Sequence, residues 1–347
     1  MKRLDTSITN ALLVVCCCLP LSACSGIQSV FNPHGPNARH TAQIGWVMFI
    51  GGALIFLVVA AFAVYAVLRK PAKRGWISHR GFIIGGGIVF PLITLTALLI
   101  YDFRAARAIV AGLASPALTI EVVGEQWWWR VRYLGGSDVD ESVVVDADAA
   151  DKGIVISANE IHIPAGRSVT FALKSADVIH SFWVPNLAGK LDMIPGRTTK
   201  LRMQADHAGV FRGQCAEYCG GPHAKMAFYV VAHEPEEFER WLAHERTPAQ
   251  PPGTRFLAEG QRLFLETSCA VCHQIRGTAA RGQVGPDLTH VGNRLSIGAG
   301  ILPNNTGTLA GWIASSQHLK PGNRMPSFDA FTGEELRALA AYLESLK

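Results

Sequence analysis

The sequence predicts a multidomain membrane protein with a two-helix transmembrane hairpin, an all-β sandwich and an all-α domain, in that order. Three observations predict this architecture. Two long uncharged apolar stretches lie within residues 44–101, short β-rich runs begin at about residue 118, and helical patterns occupy residues 254–347. The chain has 347 residues, which is enough for two soluble domains beside the membrane segments. Its composition, 49% apolar and 17% charged, is typical of a membrane protein with large extramembrane parts.

The N-terminus predicts a lipoprotein signal peptide over residues 1–23. Basic residues at the start precede an apolar run at 11–21, and small residues follow it. The segment Leu21-Ser22-Ala23-Cys24 resembles the bacterial lipobox, in which cleavage leaves a lipidated cysteine as the first residue. We therefore expect lipidation at Cys24 and an external segment at 24–43. The alternative is an ordinary signal peptide followed by an incidental cysteine.

A transmembrane hairpin is predicted at 44–101. Its spans, 44–68 and 81–101, are uncharged and long enough to cross a hydrocarbon core about 30 Å thick. The loop between them is basic and should be cytoplasmic by the positive-inside rule, so both ends of the mature chain are expected on the periplasmic or extracellular side of a bacterial plasma membrane. The basic residues are Arg69, Lys70, Lys73, Arg74 and Arg80. This loop accounts for the net charge of +5, which is therefore no argument for a nucleic-acid partner. A hairpin with little other content favours docking onto a larger membrane subunit.

Residues 102–246 are predicted to form a β-sandwich or barrel closed by an amphipathic helix at 235–245. Short strands punctuated by Gly, Pro, Asn and Asp favour this fold. The predicted strands are 118–123, 127–133, 160–163, 168–173, 181–184, 200–203, 209–211 and 227–231.

A dense set of soft metal ligands lies on this domain. Cys215, Cys219, His223 and Met226 are close in sequence, and His180 comes from an earlier segment. Thiolate, imidazole and thioether groups together suit copper, and two nearby cysteines can bridge two metal ions. The alternatives are a disulfide between the cysteines, ordinary histidines, and a core methionine.

A short Pro-rich linker at 247–253 leads to a helical domain at 254–347. The sequence Cys269-Ala-Val-Cys272-His273 is the attachment signature of c-type haem, with two thioether bonds and an axial histidine. Amphipathic helices are predicted at 255–267 and 334–346. The segment around Pro286 resembles the one whose proline carbonyl orients the proximal histidine in class I cytochromes c, and Met325 lies where that class places its second axial ligand. His290 and His318 are lesser candidates for this ligand and are expected on the surface. Methionine–histidine ligation leaves no open site, which suits electron transfer.

Four segments closely resemble subunit II of the haem–copper cytochrome c oxidases. These are His180-Ser-Phe-Trp-Val-Pro185, Ile194-Pro-Gly-Arg197, Gly213-Gln-Cys-Ala-Glu-Tyr-Cys-Gly220 and His223-x2-Met226. The resemblance implies a cupredoxin-like sandwich holding the dinuclear copper centre CuA. Its bridging thiolates would be Cys215 and Cys219, its imidazoles His180 and His223, its weak thioether Met226, and its carbonyl ligand Glu217. The Glu217 side chain would also bind Mg²⁺ at the boundary with subunit I.

The segment Gly124-Glu-Gln-Trp127-Trp128-Trp129 resembles the family's aromatic patch. The resemblance implies that Trp127 is the residue through which cytochrome c delivers electrons. The alternative, a buried strand aromatic, is expected for Trp128 or Trp129 because side chains alternate along a strand.

These patterns favour subunit II of a caa3-like oxidase with a fused cytochrome c domain. Electrons would pass from a cytochrome c donor through the haem, the Trp127 region and CuA to subunit I, where oxygen is reduced. A subunit III partner is also expected. The family often has a glutamate near the start of the second span, whereas residues 77–84 contain no acid, so the small subunit of a CuA-type nitric oxide reductase stays open. A copper-delivery lipoprotein would not need haem, and the quinol oxidase branch lacks these copper ligands.

Overall fold

The computed structural model describes residues 26–68, 79–111, 118–135 and 154–347. The predicted signal peptide, Cys24 and most of the basic loop lie outside the described residues. Within them, two apolar helices, a β-sandwich and a helical C-terminal domain follow one another along the chain, which confirms the predicted multidomain fold.

The hairpin consists of two helices that are long and apolar enough to cross a membrane. Helix α1 spans Pro36–Leu68. The second membrane-length helix consists of three consecutive segments, which are α2 (Arg80–Ile84), a π-helical turn (Gly85–Val89) and α3 (Phe90–Ala111). Helix α1 begins before the predicted span because its first turns pack under the sandwich. There Asn37 Nδ2 donates to the carbonyl of Arg202 at 2.8 Å.

The sandwich contains two five-stranded sheets. Its strands are β1 Leu118–Glu125, β2 Trp128–Gly135, β3 Val155–Ala158, β4 Glu160–Pro164, β5 Val169–Ser175, β6 His180–Trp183, β7 Leu191–Met193, β8 Thr199–Met203, β9 Gly209–Cys215 and β10 Ala227–His233. The sheet orders are β3-β2-β1-β5-β8 and β4-β10-β9-β6-β7. Strands β3 and β7 were not predicted. Both have only three or four residues, too few for an alternating pattern to be distinctive.

Large aromatic side chains fill the space between the sheets. Trp129, Phe171, Phe182 and Phe228 are fully buried, and the ring centroids of Phe182 and Phe228 are 4.6 Å apart. Helix α4 (Pro235–Glu245) closes the domain at the predicted position. This rigid core fixes the strand ends that carry the candidate metal ligands.

Helices build the C-terminal domain. They are α5 Arg255–Glu266, α6 Cys269–Cys272, α7 Thr306–Leu319 and α8 Gly333–Ser345, accompanied by the short strands β11 Ser296–Ile297 and β12 Leu302–Pro303. Helices α5 and α8 cross closely at Gly260, where an added Cβ would lie 2.1 Å from the carbonyl oxygen of Ala338. The predicted linker lies on this domain, since Ala249 N donates to Arg276 O at 2.9 Å.

Candidate functional site

The soft ligands converge at one end of the second sheet. Cys215 ends β9, Met226 directly precedes β10, and the backbone bond from Cys215 N to Met226 O, 2.9 Å long, closes the loop between them. His180 begins β6, which pairs with β9 next to Cys215. Sheet pairing therefore brings the distant histidine to the loop.

The ligand atoms surround a common centre. The sulfurs of Cys215 and Cys219 are 3.7 Å apart, His180 Nδ1 lies 3.8 Å from the first, and His223 Nδ1 lies 3.5 Å from the second. Met226 Sδ lies 3.8 Å from Cys219 Sγ. A disulfide needs about 2.05 Å between sulfurs, so the cysteines are free thiols in this arrangement. The one ligand expected from the backbone, the carbonyl oxygen of Glu217, lies 3.2 Å from Cys215 Sγ.

This donor set fits a pair of copper ions. Two buried thiols lie between two imidazoles, with a thioether beside one sulfur and a carbonyl beside the other, which is a soft set for two ions sharing thiolate bridges. A hydrogen bond with Cys219 lowers the pKa of Cys215 to about 3, while the same bond raises the pKa of Cys219. The pair therefore gives up its first proton readily, as a metal-binding dithiol must.

Asp177 orients the first imidazole, and sequence reasoning missed it. Its Oδ1 lies 2.8 Å from His180 Nε2, which leaves His180 Nδ1 facing Cys215. Burial lowers the pKa of His180, but the bonds with Cys215 and Asp177 outweigh burial and raise it. The carboxylate also accepts from the backbone N of Gln126 at 2.7 Å. The only sequence signal for this role of Asp177 was its position three residues before a candidate ligand histidine, since such histidines usually bond to a carboxylate.

The second site is an apolar cavity in the helical domain. It is lined by Cys269, Cys272, His273 and Met325, with aliphatic side chains from the surrounding helices. His273 Nδ1 lies 2.8 Å from the carbonyl oxygen of Pro286. Because that oxygen only accepts, Nδ1 carries the proton and Nε2 keeps its lone pair. Burial lowers the pKa of His273, which favours this neutral form. These residues fit a covalently attached haem with an axial imidazole.

Met325 is held by the end of helix α7. Ser316 Oγ and Gln317 Nε2 donate to its carbonyl at 2.8 and 2.7 Å, and its backbone N donates to Asn323 Oδ1 at 2.8 Å. A break in helical geometry at Ser315 turns these donors toward the loop. Met325 and His273 therefore line the same cavity.

The two other candidate histidines do not line this cavity. The surface prediction is wrong for His290, which is 4% exposed and contacts the carbonyl of Thr247 at 3.0 Å. Through this contact, His290 holds the first residue of the linker in place. His318 is exposed, as predicted.

Trp127 lies between the two sites. It was predicted within a strand, but Gln126 and Trp127 form the turn between β1 and β2, so strand alternation does not govern its side chain. Its Nε1 donates to Cys219 O at 2.9 Å, and the residue also lines the haem cavity. Trp129 is the buried core aromatic, while Trp128 is half-buried under Arg130, whose guanidinium lies 4.7 Å from the ring centroid.

Fold and sites together define a membrane-anchored electron-transfer protein with a candidate soft-metal site and a c-type cytochrome domain. Residues 118–233 match the family described as cytochrome c oxidase subunit II, periplasmic domain, and residues 257–347 match cytochrome c. The chain is 32% identical over 340 residues to cytochrome c oxidase subunit 2 of Alkalihalophilus pseudofirmus, covering 94% of each protein. It therefore belongs to the cytochrome c oxidase subunit 2 family.

Two further relatives show the same likeness over shorter stretches. Cytochrome c oxidase subunit 2 of Bacillus subtilis is 31% identical over 244 residues, covering 67% of this chain and 64% of the relative. The crystal structure of the periplasmic domain of subunit II of cytochrome oxidase from Bradyrhizobium japonicum is 28% identical, with a TM-score of 0.33, covering 39% of this chain and 96% of that one.

Proposed function

We propose that this chain collects electrons for a haem–copper oxidase and passes them inward between two sites of its own. Haem would be held by thioether bonds to Cys269 and Cys272, with His273 and Met325 as axial ligands. The single observation that carries this proposal is the position of Trp127. It contacts the backbone of the metal ligand Cys219 and borders the haem cavity.

The chain's own residues hold both cofactors rigidly. When bound, the haem and the copper pair would supply one-electron redox chemistry, which requires the chain to make or break no bond and to move no proton. His180, Cys215, Cys219, His223, Met226 and the carbonyl of Glu217 would hold the copper pair. Hydrogen bonds hold the loops that carry these residues, and a packed core supports them. The ligands therefore move little when an electron arrives or leaves, which favours fast electron transfer.

Contact with subunit I is proposed at the open side of the loop from Cys215 to Met226, which we call the metal loop. Tyr218 is 74% exposed and Ile179 is 44% exposed, and each is the sequence neighbour of a metal ligand. An apolar surface of this kind suits a protein interface. The half-buried Glu217 lies beside it, and we propose that its carboxylate binds Mg²⁺ there.

The membrane arrangement is part of the proposal. Two spans, a cytoplasmic basic loop and lipidation at Cys24 would place both soluble domains on the outer side, where a cytochrome c donor reaches the haem. Subunit III completes the proposed complex. The oxidase relatives favour oxygen over nitric oxide as the final acceptor.

Oxygen uptake by the complex tests this function. The complex is purified through a tag on this chain and supplied with reduced cytochrome c. Cyanide-sensitive uptake should be lost in His223→Ala and retained in His207→Ala, an exposed histidine of the same domain. An intact, haem-replete complex without oxygen uptake would overturn the proposal, and nitric oxide would be the next acceptor to supply.

A further inference from the structure

A buried lysine joins the helical domain to the metal-binding domain. Lys320, at the C-terminal end of α7, is 2% exposed. Its Nζ donates to the carbonyl oxygen of Trp127 at 2.6 Å and to that of Gly298 at 3.0 Å. Lysine is rarely buried without a functional or structural reason, because its ammonium loses its hydration. Here the two carbonyl bonds replace water, and one of them crosses the domain boundary.

Around Lys320, the boundary between the two domains is formed by backbone groups at the end of the metal loop. Ala227 N, directly after the ligand Met226, donates to Ala299 O at 3.0 Å. The residues 298–300 accept this bond in a left-handed turn, with φ of +66° at Gly298, +66° at Ala299 and +78° at Gly300. An added Cβ at Gly300 would lie 2.9 Å from the Ala227 Cβ, so the two backbones approach closely.

Side chains extend this contact along both edges. Lys225 Nζ donates to Leu319 O at 2.6 Å, and Arg130 Nη2 donates to Gln283 O at 3.1 Å. On the far side, the backbone N of Leu295 donates to Glu160 Oε2 at 2.8 Å. Most of these acceptors are backbone carbonyls, whose positions do not depend on rotamers. Such a boundary specifies one orientation of the domains.

The Trp127 ring lies between the two domains and is partly buried there. An added Cβ at Gly220 of the metal loop would lie 2.9 Å from the ring, and one at Gly322 of the Met325 loop would lie 3.5 Å from it. Both glycines have positive φ, at +116° and +83°. The ring therefore contacts backbone from both domains, which leaves only part of the residue accessible to an outside protein.

We propose that Lys320 is a positioning residue that holds the cytochrome domain on the metal loop, making Trp127 an internal contact and not a docking site for an external donor. The proposal rests on the proposed function, because it gives Trp127 a place between two cofactor sites. Lys320 lines the haem cavity but is not one of the proposed ligands of either cofactor, and it acts through the Trp127 carbonyl. An external donor must then deliver to the haem domain.

The test uses the purified complete complex with Lys320→Met, Lys320→Arg and the control Lys190→Met, an exposed lysine of the sandwich. Hydrogen–deuterium exchange at the Ala227 amide reports the boundary without any electron transfer. We expect at least tenfold faster exchange there in Lys320→Met, unchanged exchange in Lys190→Met, and partial recovery in Lys320→Arg. Exchange within β5 serves as the internal standard for folding.

Kinetics supply the second measurement. In Lys320→Met, the single-turnover rate from haem to copper should fall at least tenfold, while the KM for the external donor and the haem spectrum stay unchanged. Wild-type Ala227 exchange and a wild-type transfer rate in Lys320→Met would overturn the inference. If Lys320→Met does not assemble, Lys320→Gln, which keeps one donor, is judged by the same two criteria. Absence of haem-to-copper transfer in the wild-type complex would instead contradict the proposed function, with the exchange result still deciding the role of Lys320.

Discussion

The indole nitrogen of Trp127 donates to the carbonyl oxygen of Cys219 at 2.9 Å, and Gln126 Nε2 donates to the same oxygen at 2.8 Å. A turn between two strands thereby fixes its two side chains on the backbone of the candidate metal ligand Cys219. The Trp127 carbonyl meanwhile accepts from Lys320 of the other domain at 2.6 Å. One residue thus connects both cofactor sites through bonds at its ring and its backbone.

Replacing Trp127 by leucine should slow electron transfer from haem to copper by roughly tenfold or more, equivalent to about 1.4 kcal/mol in the barrier. The ring and its bond to Cys219 O are both lost. Flash or stopped-flow oxidation of the haem in the purified complex measures this rate. Trp46→Leu, on the exposed face of α1, is the control and should be silent. An unchanged rate in Trp127→Leu would remove this residue from the route.

Asp177→Asn should weaken copper binding by about 10- to 100-fold, because the amide no longer holds His180 as a carboxylate does. Copper titration of the apo-complex, followed by its visible absorbance, measures the affinity. Asp192→Asn is the matched control, since its side chain is 45% exposed and interacts with the side chains of Ser181 and Lys190 but not with a candidate ligand atom among the described residues. Equal affinity in both variants would show that the His180 orientation does not depend on Asp177.

Met325→Leu should lower the haem reduction potential and open one axial position to carbon monoxide, because leucine offers no ligand atom. A redox titration and the carbon monoxide difference spectrum record the two effects. Met203→Leu, in the core of the sandwich, keeps volume and should change neither. A Met325→Leu haem that remains closed to carbon monoxide would assign the second axial position to another residue.

The same substitution at two helical glycines should have opposite effects on the cytochrome domain. Gly260→Ala places its Cβ 2.1 Å from the Ala338 carbonyl, a backbone atom that cannot turn away, and should cost about 1–3 kcal/mol. Gly311→Ala meets nothing within 4 Å in the middle of α7 and should stabilise the domain by about 1 kcal/mol. Thermal unfolding followed by haem absorbance compares them. Equal shifts would mean that the α5–α8 crossing relaxes freely.

Stability near the linker should depend on pH through Glu245. Burial raises the pKa of this carboxyl to about 7 from 4.5, so the folded chain keeps a proton that the unfolded chain releases. Its contribution is therefore fully present below pH 4.5 and is lost as the pH rises through 7, by roughly 3 kcal/mol at most. Glu245→Gln should flatten the change in melting temperature between pH 5 and pH 8. If Glu245→Gln showed the same change in melting temperature with pH as the wild type, another group would be the cause of the pH dependence.

The candidate metal and haem ligands could be proposed from sequence because their types and spacing restrict the chemistry. Cys215, Cys219, His223 and Met226 lie within one loop, and the haem attachment signature is contiguous. Asp177 and Lys320 could not be found in this way. An acid before a histidine and a lysine at a helix end are common, and their roles depend on atoms that are distant in sequence.

Trp127 shows where periodicity fails. Alternation along a strand assumes that the strand continues, whereas the chain turns at Gln126 and Trp127. The contact of His290 with the linker could not be predicted from sequence either, because a single histidine belongs to no periodic pattern that indicates burial.

The sequence by itself determined the order of the domains, the two apolar spans, the helix at 235–245 and the ligand types, since these depend on local composition and short spacing. The tertiary structure alone decided that the cytochrome domain lies on the metal loop and that Lys320 and two glycines, Gly220 and Gly322, contact Trp127. Such contacts join backbone groups from distant segments, and backbone carbonyls carry no residue identity that a sequence pattern could reveal.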